Sequence, residues 1–455
     1  MSSLLSTSFY LFLLFSSVFA FNHPGLLVNN ADIARIKTKL STRADPWQAS
    51  WNKLKSLRYS QSTYVDQAVS RVHRGTFNGV KSNADLLWHD VAAAFNLAVR
   101  WKIEGNASYA ETASNILGAW GRTLNALDNS DDQYLLAGLQ GYQLVNAAEL
   151  LRDYTPFESS SNARAFTTMF QDIFVYRNLF FLNHQAPSEH NVKHFHANWE
   201  LCNMASAMAF GVYTDNAMLF DFVVEYFKSG TGNGAINNAI TNLVLEPGTG
   251  LLGVIAQQAW NQGVDLYGYN DSRILHGAEY FARYNLGNDV PFEPWTNSIV
   301  SFTHISLDSR GAVRPTWELL YAHYTTLFKN YTAESTQSSF KPGVGLGGEG
   351  SGHFDGVGWG SLLHRLGEDY VPAVSSTSLA SQPTTSSNPF VASSASTLLT
   401  KTSAYVTKSP SMSFQTSTVT IITTSQSVLG TSSVPTTASE ATSVNACARK
   451  HRTRT

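Results

Sequence analysis

"KHFHANWELCNMASAMAFGVY" (193–213) sets two imidazoles, an amide and an indole in front of a long apolar run. Thirteen residues without a charge, from Leu201 to Tyr213, are too long for a strand and read as a buried helix. Polar groups at its start have three explanations: metal, catalysis, or mutual satisfaction in a core. His190 and His194 are four apart, as in some zinc sites. The chain has no HExxH, no third carboxylate at a suggestive spacing and no CxxC, so no metal and no cofactor is expected. His194 and Asn198 are also four apart, which predicts that both project from the first helical turn. Burying such a pair without partners is costly. Together they suit an anionic sugar, because Asn can hydrogen-bond a carboxylate and His can exchange protons near neutral pH. His196 would point elsewhere and is read as structural.

Working outward, the same helical spacing recurs along the chain. In "DLLWHDVAAAFNLAVRWKIEGN" it picks out Leu87, Val91, Phe95, Ala98 and Trp101. Further helices are expected in "YAETASNILGAWGRTLN", "QYLLAGLQGYQLVNAAELLRDY", "ARAFTTMFQDIFVYRNL", "NAMLFDFVVEYFK", "LLGVIAQQAWNQ", "SRILHGAEYFARYNLG" and "RPTWELLYAHYTTLFKNY". Little strand alternation appears before Thr303. So many helix hairpins without a sequence repeat point to an all-α fold, an α/α toroid and not a regular solenoid. Aromatics make up 12% of the residues. Most tryptophans are read as core, two or three as a sugar-stacking surface.

The ends differ from the middle. Residues 1–20, with an apolar stretch ending in Val18-Phe19-Ala20, read as a signal peptide. No later stretch is apolar and long enough for membrane insertion. An exported, extracellular protein, compatible with cell-wall association, is therefore expected. Sequons at Asn106, Asn270 and Asn330 fit that route. The toroid is expected over 21–373. Residues 374–455 are about half Ser and Thr over most of their length, with scattered Pro, and read as a disordered, O-glycosylated tail. That tail holds six of the 31 basic residues and one of the 33 acidic ones, leaving the rest at a net charge of −7. No basic stripe for nucleic acid is present, and an acidic ligand must be held by local groups. Of two cysteines, Cys202 reads as a buried small hydrophobe.

Taken in order, "HPGLLVNNADIARIKTKL", "HFHANWELCNMASAMAFGV", "AWNQGVDLYGYNDSRILHGAEYFARYNLGNDVPF", "RPTWELLYAHY" and "FDGVGWGSLLH" resemble the alginate lyase domain family, secreted fungal members of which carry such blocks. The resemblance spans roughly residues 23–366. It implies an α/α toroid that cleaves an acidic, uronate-containing polysaccharide by β-elimination, acting as a monomer. It implies Asn198 as neutraliser of the uronate carboxylate and His194 as base or helper. Tyr267 and Tyr269 in "DLYGYN" become candidates for the acid, although either could equally be packing. His184 in "FLNHQAP" matches an Asn-His pair of the family. His89 and Trp199 are candidates for the substrate groove, with a core histidine an equal reading of His89.

One departure matters. The family places a segment of Glu-Ser-Gly-Arg-Asp-Gln-x-His character before "WNQG", whereas here "NLVLEPGTG" runs straight into "LLGVIAQQAWNQG". Between Lys228 and Arg273 there is neither arginine nor histidine, so the expected cation is missing near Gly250–Leu251. Two alternatives stand beside the lyase: a glycoside hydrolase using a pair among Asp265, Glu279, Glu349 and Asp355, and a non-catalytic polysaccharide-binding descendant.

Overall fold

Helices that are apolar all round must be enclosed, and helices with one apolar face must cover them. The computed structural model follows that division. It describes residues 20–76, 78–128, 130–185, 194–241, 249–296, 301–305, 307, 310, 317–327 and 354–367. The signal-peptide and tail expectations lie outside the described residues, as do His190, Asn330 and Glu349.

The helices are α1 (Asn30–Ser41), α2 (Trp47–Ser56), α3 (Ala84–Glu104), α4 (Ala107–Thr123), α5 (Asp132–Leu150), α6 (Thr155–Glu158) and α7 (Ser161–Met169). A π-helical turn over Phe170–Val175 leads into α8 (Tyr176–Leu182). After it come α9 (Ala197–Tyr213), α10 (Ala217–Ser229), α11 (Ile236–Ala239), α12 (Thr249–Trp260), α13 (Tyr269–Asn285) and α14 (Trp317–Tyr321). Strands are few among the described residues: β1 (Arg71–His73) pairs in parallel with β2 (Ala126–Asp128), and β3 (Trp295–Thr296) pairs antiparallel with β4 (Ser301–Phe302).

From Tyr134 to Leu150, α5 is buried on every face, and α9 is buried from Glu200 to Tyr213. These two form the inner layer with α3 and α12; α4, α7 and α10 bury one face each and lie outside. Side chains fix the direction of the inner helices. Near their starts Leu139 of α5, Cys202 of α9 and Leu251 of α12 share one apolar cluster. Further along, Gln258 donates to Ala205 O at 3.2 Å and accepts from Asn146 Nδ2 at 3.3 Å. The inner helices α5, α9 and α12 are therefore parallel, with their N-termini at the same end of the α/α layers.

The closest inner seam needs glycine. A Cβ on Gly138 would lie 2.2 Å from Cys202 Sγ and 2.7 Å from the Cys202 carbonyl carbon. In an exposed helix Gly→Ala stabilises by about 1 kcal/mol. Here overpacking reverses the sign: Gly138→Ala is expected to destabilise by about 1–3 kcal/mol, read as a lower urea midpoint. Cys202 is fully buried, as its sequence suggested, and burial pushes its thiol up.

The far end is closed by the blocks most distinctive in the sequence. Gln262 Nε2 donates to Gly25 O at 2.6 Å, its Oε1 accepts from Asn22 N at 2.9 Å, and Asn29 Nδ2 donates to Asn261 Oδ1 at 2.9 Å. His23 Nδ1 lies 2.7 Å from Glu149 Oε1 and its Nε2 lies 3.1 Å from Asp215 Oδ1. Burial alone would depress this imidazole; the Glu149 and Asp215 carboxylates outweigh it and raise the pKa. "HPGLL" and "WNQG" thus tie the chain start to the C-terminal ends of α5 and α12. They are closure elements, distant from those N-termini.

Candidate functional site

The N-termini of α5, α9 and α12 lie at one end of the fold, and peptide N–H groups at helix N-termini favour anionic ligands. A segment from Phe354 to Trp359 lies across that end. Gln140 and Gln143 donate to Phe354 O, Tyr142 donates to Asp355 O, and Trp359 Nε1 donates to Asn96 Oδ1 at 2.8 Å.

The helix α9 starts later than its polar prelude suggests. His196 is the N-cap, with extended φ/ψ of −69° and 157°, so His194 lies before the helix. The i,i+4 pairing of His194 with Asn198 therefore does not form, because that spacing aligns side chains only inside a helix. The His194 ring instead meets Phe195 edge-on at 4.6 Å. Asn198 is half-buried, one turn before Cys202, and its side chain makes no hydrogen bond among the described residues. Trp199 spends its ring on Phe195, at 4.5 Å, and on Phe181, at 6.0 Å. His89 of α3 is stacked on Tyr59 at 5.3 Å and edge-on to Phe354 at 5.1 Å. Burial, then the Arg58 charge, lowers its pKa.

Tyr267 is not a site residue. It is fully buried, its ring stacks on His323 at 3.6 Å, and its hydroxyl lies 3.1 Å from Gln257 Oε1 and 3.3 Å from Gly253 O. A proton donor must reach substrate, and this phenol is sealed in packing. Tyr269 is half-buried at the start of α13, with the Lys228 ammonium 5.8 Å from its ring centroid. Of the proposed hydrolase carboxylates, Asp265 caps Gly268 N at 2.8 Å, and Asp355 faces Arg74.

A constellation of which sequence reasoning named only His184 lies about 200° around α9 from Asn198. Tyr226 OH is 3.2 Å from His184 Nε2 and also hydrogen-bonds the Glu200 carboxylate. His184 Nδ1 stands 3.8 Å from Glu200 Oε1, and Thr231 Oγ1 is 3.4 Å from His184 Nε2. Glu200 accepts from Gly234 N at 2.7 Å. The loop passes close to this carboxyl at Gly232, where a Cβ would sit 1.8 Å from Glu200 Oε1. His184 has φ of 55°, the left-handed region, which aims its ring back at α10. Burial raises Glu200 to about 7, against the Gly234 bond. Burial lowers His184, and burial followed by the Glu200 charge holds the Tyr226 phenol well above its ordinary value. The trio therefore offers, near neutral pH, an uncharged imidazole, a protonated phenol and a carboxyl near its midpoint. One signal was available: Glu200 is the only charged residue of α9.

Among the described residues no group of three or more His, Cys, Asp or Glu could hold a metal ion, and no helix is long and apolar enough to cross a membrane.

No curated protein matches the chain. A solved structure of an alginate lyase from Bacteroides ovatus aligns with a TM-score of 0.46 at 12% identity, covering 70% of this chain and 96% of that one. The alginate lyase family model matches residues 36–239, which run from α1 through α11 and include His89, His184, His194, Asn198, Glu200 and Tyr226. Over residues 36–239 this chain is similar to the alginate lyase family.

Proposed function

We propose that this chain is a polysaccharide lyase, acting outside the cell on uronate-containing polymers of the alginate or glucuronan type. The observation that carries the reading is the 3.2 Å contact of Tyr226 OH with His184 Nε2, backed by the Glu200 carboxyl, inside the segment that matches the family. β-Elimination needs a base for the C5 proton, an acid for the departing O4, and donors that neutralise the adjacent carboxylate. An imidazole whose pKa is lowered is neutral and can take the C5 proton. A phenol held above its ordinary pKa keeps its proton and can deliver it to O4 as the C4–O4 bond breaks. Asn198, with an unengaged amide, is the carboxylate donor. We read the shortened stretch before Leu251 as lowering activity, since it removes a cation that the family places there.

The test is incubation of purified protein with alginate, glucuronan and a neutral glucan. The expected result is ultraviolet absorbance from unsaturated uronate ends on an acidic polymer alone. Saturated reducing ends would make the protein a hydrolase, and uronan binding without any product would make it a non-catalytic descendant.

A further inference from the structure

Four buried or half-buried arginines elsewhere in the fold hold hydrogen bonds through their guanidinium groups. Arg35 bonds Asp32 and Leu363 O, Arg100 bonds Ser60 O and Glu104, Arg177 bonds Leu127 O, and Arg365 bonds Glu318. Arg74 differs. It follows β1, in a turn completed by Gly75 with φ of +75°. Its Nη1 is buried without a hydrogen bond, and its ionic contact to Asp355 Oδ1 is loose, at 3.8 Å. The guanidinium carbon stands 5.6 Å from the Trp88 ring centroid. Trp88 Nε1 is likewise buried and unpaired, as is Oε1 of the fully buried Gln140. Two such donors and one such acceptor close together in the fold suit a polar ligand.

Arg74 lies beside the start of α5: a Cβ on the adjacent Gly75 would meet Asp132 Oδ2 at 2.9 Å. Asp355 Oδ1 faces the guanidinium from 3.8 Å, beyond hydrogen-bond distance.

We propose that Arg74 and Trp88 form a subsite for one anionic sugar unit, with the guanidinium taking a uronate carboxylate and the indole lying against the pyranose ring. Guanidinium geometry suits a planar carboxylate, and an indole presents an apolar face with a donor edge, which together select a charged sugar over a neutral one. This supplies from the β1–α3 connection the cation that is absent between Lys228 and Arg273. The inference rests on the uronate reading of the proposed function, but it concerns binding and not proton transfer.

The experiment is calorimetric titration of the full chain with a saturated uronate trisaccharide and with its carboxyl-reduced, neutral counterpart. Tryptophan emission is followed in parallel. Wild type is expected to bind the charged form more tightly, with affinity falling as salt rises. Arg74→Ala should weaken the charged trisaccharide about tenfold or more, leave the neutral one unchanged, and be partly rescued in Arg74→Lys. Trp88→Phe should weaken both sugars and remove the emission change. Circular dichroism melts establish that each variant is folded; if Arg74→Ala is not, Arg74→Lys with the salt series carries the test. Equal affinity of wild type and a folded Arg74 variant for the charged sugar, or no uronate binding by wild type, overturns the subsite. Arg74-dependent binding without unsaturated product would uphold the subsite and remove the lyase, whereas turnover indifferent to Arg74 would do the reverse.

Discussion

Tyr226→Phe is expected to lower the turnover of a uronate polymer by about 10²–10⁴-fold while leaving the protein folded. The variant removes one oxygen. The ring keeps its packing against Phe222, at 6.0 Å, and against His184, at 6.3 Å, so the melting temperature should move little. His184→Ala should cost a similar factor. The double variant should be hardly worse than either single one, because a base and an acid on one hydrogen-bonded pair fail together. Initial rates of ultraviolet absorbance give all three values. If Tyr226→Phe turned over at the wild-type rate, proton transfer would have to be assigned to another group.

The helices were legible because their apolar spacing is long and regular. The stretches read around Phe95, Trp120 and Leu144 became α3, α4 and α5. Inner and outer helices were also separable in principle, since α9 is apolar all round whereas α10 carries Asp221, Glu225 and Lys228 on one side. The proposed site was legible only in part. His184 was singled out through its neighbour Asn183, and Asn198 through its position before an apolar run. Their partners were not, because Tyr226 looks like any aromatic in an amphipathic helix, and its pairing with His184 spans 42 residues. Tyr267 misled for the opposite reason. A block distinctive in sequence can be distinctive for closure, and "WNQGVDLYGY" provides a ring-closing bond network followed by a buried phenol. His194 failed at a helix boundary, where one extended residue, His196, cancels a spacing argument.

Glu200 should separate the chemistry from the fold by its pH behaviour. Its carboxyl is raised from 4.5 to about 7 by burial. Between those values the native state binds more protons than the unfolded chain, so stability falls as pH rises. The contribution is complete below the unfolded pKa and lost on passing through about 7. The shift corresponds to on the order of 3 kcal/mol. Glu200→Gln keeps an oxygen for Gly234 N, 2.7 Å away, and removes the ionisation. Near about pH 4 the variant should match wild type, and near about pH 9 it should be the more stable by up to that amount, measured by urea unfolding. Activity should respond differently. The ionised carboxylate, 3.8 Å from His184 Nδ1, makes that imidazole a better base, so wild-type rates should climb through about pH 7 and those of Glu200→Gln should not. A variant that lost the stability slope but kept the rate slope would place Glu200 in the architecture and out of the proton relay.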